Sequence, residues 1–426
     1  MAEVSSVTTD IFDLLQVYND FVVENNELGG QVCPKEFQSL MVMRDELFPA
    51  VRDNSDALTV ICSLRECVSS ILRGKQEEGY STGRVQMLVD LCWEKLHTGV
   101  WSDVGKEWRM LYGISCLMLA CMQLVHNMDN IVIAVKLCDK ALMMGHPVIS
   151  EIIHSLADKL TDILYVRYSP KLHNSYIHRV LEPHNIDCPI KLCSDVSLQA
   201  FQTQIFGIEP VVIFGMMSDW PSMSIRKWDL QYLYRVAGCR TVPIEIGSKY
   251  TDSDWRQELM LLSDFIDKYV TSDNPPSTAY LAQHTLFDQI PLLKRDIYIP
   301  DYCAVNDSDR EEGQEIRIHS WFGPEGTVSP LHYDPPHNLL CQVMGSKYIR
   351  LYSPDYTDCL YPHDDKLLQN TSRVDIEIPD DKLYPKFKEA IFIETILKPG
   401  QMLYIPPKWW HFVKSLEVSF SVSFWW

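Results

Sequence analysis

From the start of the chain to about residue 166, apolar side chains recur at helical spacing, as in Ile11, Leu14, Leu15, Tyr18, Phe21 and Val22. The same period predicts helices over Ser55–Ile71, Arg84–His97, Glu107–Val125, Asn130–Met144 and Val148–Tyr165, separated by short polar or glycine-containing breaks. Met110–Val125 carries no charge, yet it is shorter than the roughly 20 residues a membrane span needs, and it contains Gly113, Ser115 and Gln123. It is predicted to be a buried helix. The Ile131–Gly145 run has the alanines of an antiparallel helix pair and is faintly similar to one tetratricopeptide unit. The region as a whole reads as a helical partner or packing domain.

The pattern changes after Arg167. Pro170, Pro183 and Pro189 interrupt any periodicity and mark a boundary. Beyond it, β-branched and aromatic runs alternate with turn residues: Val211–Phe214, Thr241–Ile246, Lys347–Tyr352, Gln401–Ile405 and Val418–Trp426. Short strands with few long helices predict a barrel or double-sheet jelly roll. The expected class is therefore α+β, with a helical domain over 1–170, a linker or crossover over 171–190, and a catalytic barrel over 191–426. Asn306–Glu315, acidic and glycine-containing, is expected to be a solvated loop.

Composition narrows the function. The chain has 426 residues, 46% of them hydrophobic, and a formal net charge of −19. The excess of acids runs through both halves, so neither is a basic surface for nucleic acid, and basic protein segments are the better-matched partners. The first residues, MAEVSSVTTDIFDLL, lack a basic stretch followed by an apolar one, so no secretory signal is expected there. The 13 cysteines include no CxxC pair with zinc spacing, and without a secretory route they are expected to be reduced thiols in cytosol or nucleus.

The chemistry concentrates between Trp321 and Pro354. His332 and Asp334 stand at i and i+2, which on a strand places imidazole and carboxylate on one face. With a second histidine from elsewhere they would form the facial triad of non-haem iron, leaving three positions for a bidentate 2-oxo acid and dioxygen. His411, in the strand after the Pro406–Pro407 bend, supplies that imidazole. Gly345 and Ser346 make a turn after which Lys347, Ile349 and Leu351 share a face, so Lys347 is placed to pair with the distal carboxylate of 2-oxoglutarate. In the last strand Ser419, Ser421 and Ser423 alternate with Phe420, Val422 and Phe424, a small polar face that would leave room in a cavity. His337 follows Pro335 and Pro336 and is expected to support the site or sit in a loop, not to bind metal.

These residues, with WFGPEGTVSPLH, QVMGSKYIRLYSP, YPHD and SFSVSFWW, resemble the JmjC-domain 2-oxoglutarate oxygenases. The resemblance covers roughly residues 190–426 densely and implies a double-stranded β-helix, cupin-like barrel. It implies Fe(II) on His332, Asp334 and His411, with dioxygen as oxidant. It also implies a 2-oxoglutarate site of Tyr280, Ser329, Asn338, Lys347 and Trp425, and a substrate wall of Glu245 and Trp255. A carboxylate beside an indole suits a guanidinium by fork hydrogen bonds and cation–π stacking. Without the resemblance, Glu245 reads as an outward strand residue and Trp255 as a cap at a helix start.

The expected activity is an Fe(II)/2-oxoglutarate-dependent protein oxygenase. Its first form is an arginyl C-hydroxylase acting on basic or chromatin-associated proteins. The alternatives are a histone methyl-lysine demethylase using the same site, a scaffold that binds chromatin or a partner through the helical domain, and a zinc or manganese cupin isomerase, which would not need Lys347. A nuclear location follows from the resemblance, with the cytoplasm as the other compartment; no membrane or direct nucleic-acid binding is expected.

Overall fold

A computed structural model describes residues 54–72, 78–100, 103–168, 180–181, 185–247, 249–251, 254–306, 315–366 and 368–426. The helix expected around Ile11–Val22 and most of the Asn306–Glu315 loop lie outside these residues. The chain divides into two compact units, one containing residues 1–170 with Cys239–Thr241, and one containing the rest.

The first unit is helical: α1 (Ser55–Leu72), α2 (Glu78–Leu96), α3 (Lys106–His126), α4 (Ile131–Met144) and α5 (Ser150–Tyr168). Helix α3 is long and apolar enough by composition to cross a bilayer, but its apolar side chains are packed inside the unit, including Leu111, Leu117, Leu119 and Leu124. It is the central core helix, against which α4 packs. Gly113 of α3 and Gly145 at the end of α4 approach each other in this crossing. A Cβ on Gly145, at the end of α4, would lie 2.3 Å from the Ala141 carbonyl oxygen and 3.3 Å from the Gly113 Cα.

In the second unit, α6 (Leu198–Gln204) and α7 (Leu230–Ala237) accompany thirteen strands among the described residues. They are β1 (Lys191–Ser194), β2 (Val211–Phe214), β3 (Thr241–Ile246), β4 (Arg256–Leu261), β5 (Ala279–His284), β6 (Arg317–Gly323), β7 (Val328–Tyr333), β8 (Asn338–Met344), β9 (Lys347–Tyr352), β10 (Phe392–Leu397), β11 (Gln401–Ile405), β12 (Trp410–Ser415) and β13 (Ser419–Trp425). A nine-stranded sheet runs in the order β1-β2-β11-β8-β13-β6-β5-β3-β4, and a four-stranded sheet in the order β10-β9-β12-β7. Among the pairs with a described register, pairing is antiparallel except between β1 and β2.

Alternation along the strands explains the double-sheet architecture. Val212, Leu340, Leu403 and Ile405 of the large sheet share one buried cluster with Ile349, Leu351, Leu397 and Val413 of the small one. Their strand neighbours face outward: Val211, Leu339 and Tyr404 pack under the helices, while Tyr348, Tyr352, Trp410 and Phe412 form a third cluster with Phe387. The β8–β9 turn is fixed by Gly345 at φ +67, where a Cβ would meet the Val418 carbonyl oxygen at 2.1 Å. That turn delivers Lys347 to the interior at the first residue of β9.

Candidate active site

Cross-strand register brings the two histidines together. His411 on β12 stands opposite His332 on β7, with ring centroids 4.2 Å apart. Asp334 lies just past the end of β7, so the i, i+2 pair is shared between a strand and its exit. Its backbone carbonyl accepts from Lys408 N–H at 2.8 Å, and its Oδ2 is 3.7 Å from His411 Nε2. One ligand atom from each of His332, Asp334 and His411 falls within 4.8 Å of the other two.

The donor set fits a metal ion. Nδ1 of His332 is 2.7 Å from the Pro330 carbonyl oxygen and Nδ1 of His411 is 3.0 Å from that of Trp409, which fixes the tautomer and leaves Nε2 of each ring as a lone-pair donor. Burial, reinforced by His332 and opposed by Asp334, lowers His411 to about 4 and keeps it neutral. Asp334 Oδ2 is buried without a hydrogen-bond partner, the signature of an acceptor reserved for something other than protein.

Beside the triad lies a narrow cavity of about 20 Å³, lined by Tyr280, Ser329, Asn338, Lys347 and Trp425 among others. Lys347 is 1% exposed, and its Nζ donates to the Tyr280 hydroxyl at 3.1 Å. Burial lowers the ammonium from 10.5 to about 7. Ser329 also bonds the Tyr280 phenol, and burial pushes that phenol well up, so it stays a donor. Asn338 Oδ1 and Trp425 Nε1 are both buried without partners. Lys347 Nζ and the partnerless Trp425 indole N–H are the donors on this cavity that a small polar anion would need, while Asn338 Oδ1 is an acceptor.

A wider cavity of about 330 Å³ shares Tyr280, Trp321, Ser329, His332 and Asp334 with the narrow one and is also lined by Glu245, Tyr250, Gln283, Leu368, Asn370 and Thr371. Glu245 stands on β3 opposite Tyr280 of β5. Its carboxylate accepts from the Trp255 indole at 3.3 Å, and burial raises it above the usual carboxylate range. Trp255 is 36% exposed and precedes a strand, β4, not a helix, so the helix-start reading of this residue is corrected.

Comparison with known proteins meets this geometry. A family model described as a cupin-like domain matches residues 197–426, and one described as KDM8-like N-terminal ARM repeats matches 82–167. Over 366 residues the chain is 44% identical to lysine-specific demethylase 8 of Danio rerio, covering 81% of this chain and 87% of that protein. It is 39% identical over 416 residues to lysine-specific demethylase 8 of Xenopus tropicalis, covering 85% and 92%. Over 365 residues it is 42% identical to Jumonji C domain-containing protein 5 of Drosophila melanogaster, covering 83% and 88%. The chain belongs to the cupin-like JmjC oxygenases. It is a 2-oxoglutarate-dependent enzyme of that family, and the tetratricopeptide likeness of the helical region gives way to ARM repeats.

For a JmjC oxygenase the state of Lys347 has a consequence for co-substrate binding. Burial lowers Lys347 to about 7, so if it anchors the co-substrate a bound dicarboxylate would restore the charged form and binding would take up a proton above that pH. The Kd for 2-oxoglutarate is expected to rise about fivefold from pH 7 to 8 and about tenfold per unit beyond, until the unperturbed lysine range near 10.4. Titration calorimetry with Mn(II) present, in buffers of different ionisation enthalpy, checks both the slope and the proton uptake. A flat profile would exclude Lys347 as the anchor. The stability of the ligand-free protein has the opposite sign: the unfolded state holds more protons between about pH 7 and 10, so stability rises across that window.

Other parts of the JmjC barrel differ from expectation or were not anticipated. The serine face of β13 is largely occupied: Ser419 donates to Ser415 at 2.8 Å and Ser421 to Gln342 at 2.7 Å, which leaves Ser423 on the narrow cavity. Ser423 accepts from the Trp321 indole at 2.9 Å, so this tryptophan borders both cavities. His337 is 2.8 Å from the Tyr404 hydroxyl and stacks on Phe206 at 4.2 Å, away from the triad. Tyr250, Gln283, Asn370 and Thr371 had no motif to mark them. Gln283 alone leaves a trace in the backbone, a φ of 49 at the irregularity between Leu281 and His284 of β5.

Proposed function

We propose that the chain is an arginyl C-hydroxylase of basic protein segments. The observation that carries this reading is the half-buried Glu245 carboxylate, bonded to the Trp255 indole and lining the same cavity as His332 and Asp334. A planar guanidinium satisfies both groups, whereas a quaternary ammonium is ordinarily held by a cage of several aromatic faces. Fe(II) held by His332, Asp334 and His411 would supply the oxidation: 2-oxoglutarate and dioxygen give succinate and carbon dioxide, with the second oxygen atom entering a substrate C–H bond. Lys347, Tyr280, Ser329, Asn338 and Trp425 would hold the co-substrate, with Lys347 as the fixed opposite charge. Glu245 and Trp255 would hold the guanidinium so that an aliphatic carbon, not the head group, faces the metal. The net charge of −19 favours such partners, and basic chromatin-associated proteins in the nucleus match it.

The second reading, demethylation of methyl-lysine, is supported by the names of the Danio and Xenopus relatives. It uses the same metal and co-substrate residues and differs in the atom offered: oxidation of an N-methyl carbon gives a hemiaminal that releases formaldehyde. Mass spectrometry of arginine and methyl-lysine peptides incubated with the enzyme, Fe(II) and 2-oxoglutarate separates the two. A gain of one oxygen on arginine is expected; formaldehyde from methyl-lysine with unmodified arginine overturns the proposal. Glu245→Gln is expected to lower kcat/KM for the arginine peptide roughly 10- to 100-fold, the cost of a hydrogen bond to a charged group, with little change in the KM for 2-oxoglutarate.

A further inference from the structure

We propose that the Lys249–Asp375 ion pair is a tie that holds the outer wall of the wide cavity over a bound side chain, positioning the substrate without touching it. The pair's role rests on reading this cavity as the substrate's, and not on which basic side chain enters.

The two walls of the cavity are built differently. One wall is the run containing Leu368, Asn370 and Thr371, which is laid along the exit of β7. Tyr333 N–H donates to the Asn370 carbonyl at 2.9 Å, Ser372 N–H to the Leu331 carbonyl at 2.8 Å, and the Asn370 side chain to the Tyr333 carbonyl at 3.0 Å. Further on, Asp375 Oδ1 accepts from Glu377 N–H at 3.0 Å, and Glu377 takes Lys414 Nζ of β12 at 2.5 Å. This wall is fastened to the strands that carry His332 and His411.

The other side leaves β3 at Gly247, whose φ of 124 and close approach to Trp255, 3.2 Å from a Cβ to the Trp255 Cα, mark a glycine-dependent turn. Lys249 and Tyr250 follow. Two side-chain contacts join them to the fixed wall: Lys249 Nζ to Asp375 Oδ2 at 2.6 Å, and the Tyr250 hydroxyl to Thr371 Oγ1 at 3.0 Å. The second contact joins two residues of the cavity lining, and the first joins residues outside it, next to Tyr250 in the chain, so it can set the position of Tyr250 in the lining it shares with Glu245, His332 and Asp334. Lys249 and Asp375 are 23% and 43% exposed, so as a stability element alone the pair would be worth little. Its leverage comes from where it sits.

The test is steady-state kinetics of the full-length enzyme with whichever peptide, arginine or methyl-lysine, the parent turns over. Asp375→Asn, which keeps the acceptor for Glu377 N–H, and Lys249→Met are each expected to raise the peptide KM about 3- to 5-fold. The KM for 2-oxoglutarate should stay within about twofold, and succinate release without peptide should rise. Lys249→Arg keeps the charge and should keep the parent's peptide KM. An unchanged peptide KM in both charge-removing variants, an equal rise in both KM values, or a Lys249→Arg enzyme no better than Lys249→Met overturns the tie alone. A parent enzyme that turns over neither peptide overturns the cavity reading, and the tie falls with it.

Discussion

Asp334→Ala is expected to bring peptide-coupled succinate release below about 1% of the parent enzyme, because a direct metal ligand must matter more than the outer partners whose loss typically costs 10- to 100-fold. The reasoning is geometric. His332 and His411 reach the same point from paired strands, with Nδ1 of each ring held by a backbone carbonyl. Asp334 is the one anionic member, and its Oδ2 has no hydrogen bond to lose. Asp334→Asn keeps the shape and removes the charge, so it isolates the ligand role from packing. Both variants should fold, as circular dichroism checks, and bind Mn(II) far more weakly, as electron paramagnetic resonance checks. Full turnover with either would exclude the triad as the metal centre. A preserved biological effect with dead enzyme would instead favour a scaffold acting through the ARM repeats.

Lys347→Met is expected to move activity and stability in opposite directions. Truncating one partner of a buried charge pair costs about 2–5 kcal/mol, so the KM for 2-oxoglutarate should rise roughly 30- to 5000-fold. Peptide affinity and Mn(II) binding should change little. The ligand-free protein, however, carries an ammonium that is 1% exposed and depressed to about 7 by burial, with the Tyr280 hydroxyl at 3.1 Å as its recorded hydrogen bond. Methionine fills similar volume without that desolvation cost. Unfolding of the barrel unit without co-substrate should therefore occur a few degrees higher in the variant, at about 2–4 °C per kcal/mol for a domain of that size. A lower melting temperature together with an unchanged KM would show that Lys347 is a structural residue. The combination expected here is the mark of a group retained for binding at the expense of stability.

Much of the architecture was legible along the chain. The 3.6-residue period located the helices from Ser55 to Tyr168, and the short β-branched runs located β2, β3, β9 and β11 to the residue, because the burial of one helix stripe or one strand face is written locally. The order His332, Asp334, Lys347, His411 was readable for a related reason: i, i+2 spacing and a glycine turn put chemistry at defined points of adjacent strands. The ARM character of the helical unit was not readable from one alanine-containing helix pair, since that packing pattern recurs in many helical arrays.

The sequence by itself determined the helices of the first unit, several of the strands, the α+β class and the order of His332, Asp334, Lys347 and His411 along the chain. Tertiary structure decided which donors converge. Tyr280, Asn338, Lys347 and Trp425 come from β5, β8, β9 and β13, and meet because of strand order and cross-strand register, neither of which is encoded in any local window. The same register withdrew Ser419 and Ser421 into hydrogen bonds with Ser415 and Gln342, sent His337 to Tyr404, and set Lys249 against Asp375 across 126 residues of chain. The physical reason is that periodicity reports which face of an element is buried, whereas a site is made by the distances between elements, and these are fixed only when the whole core packs.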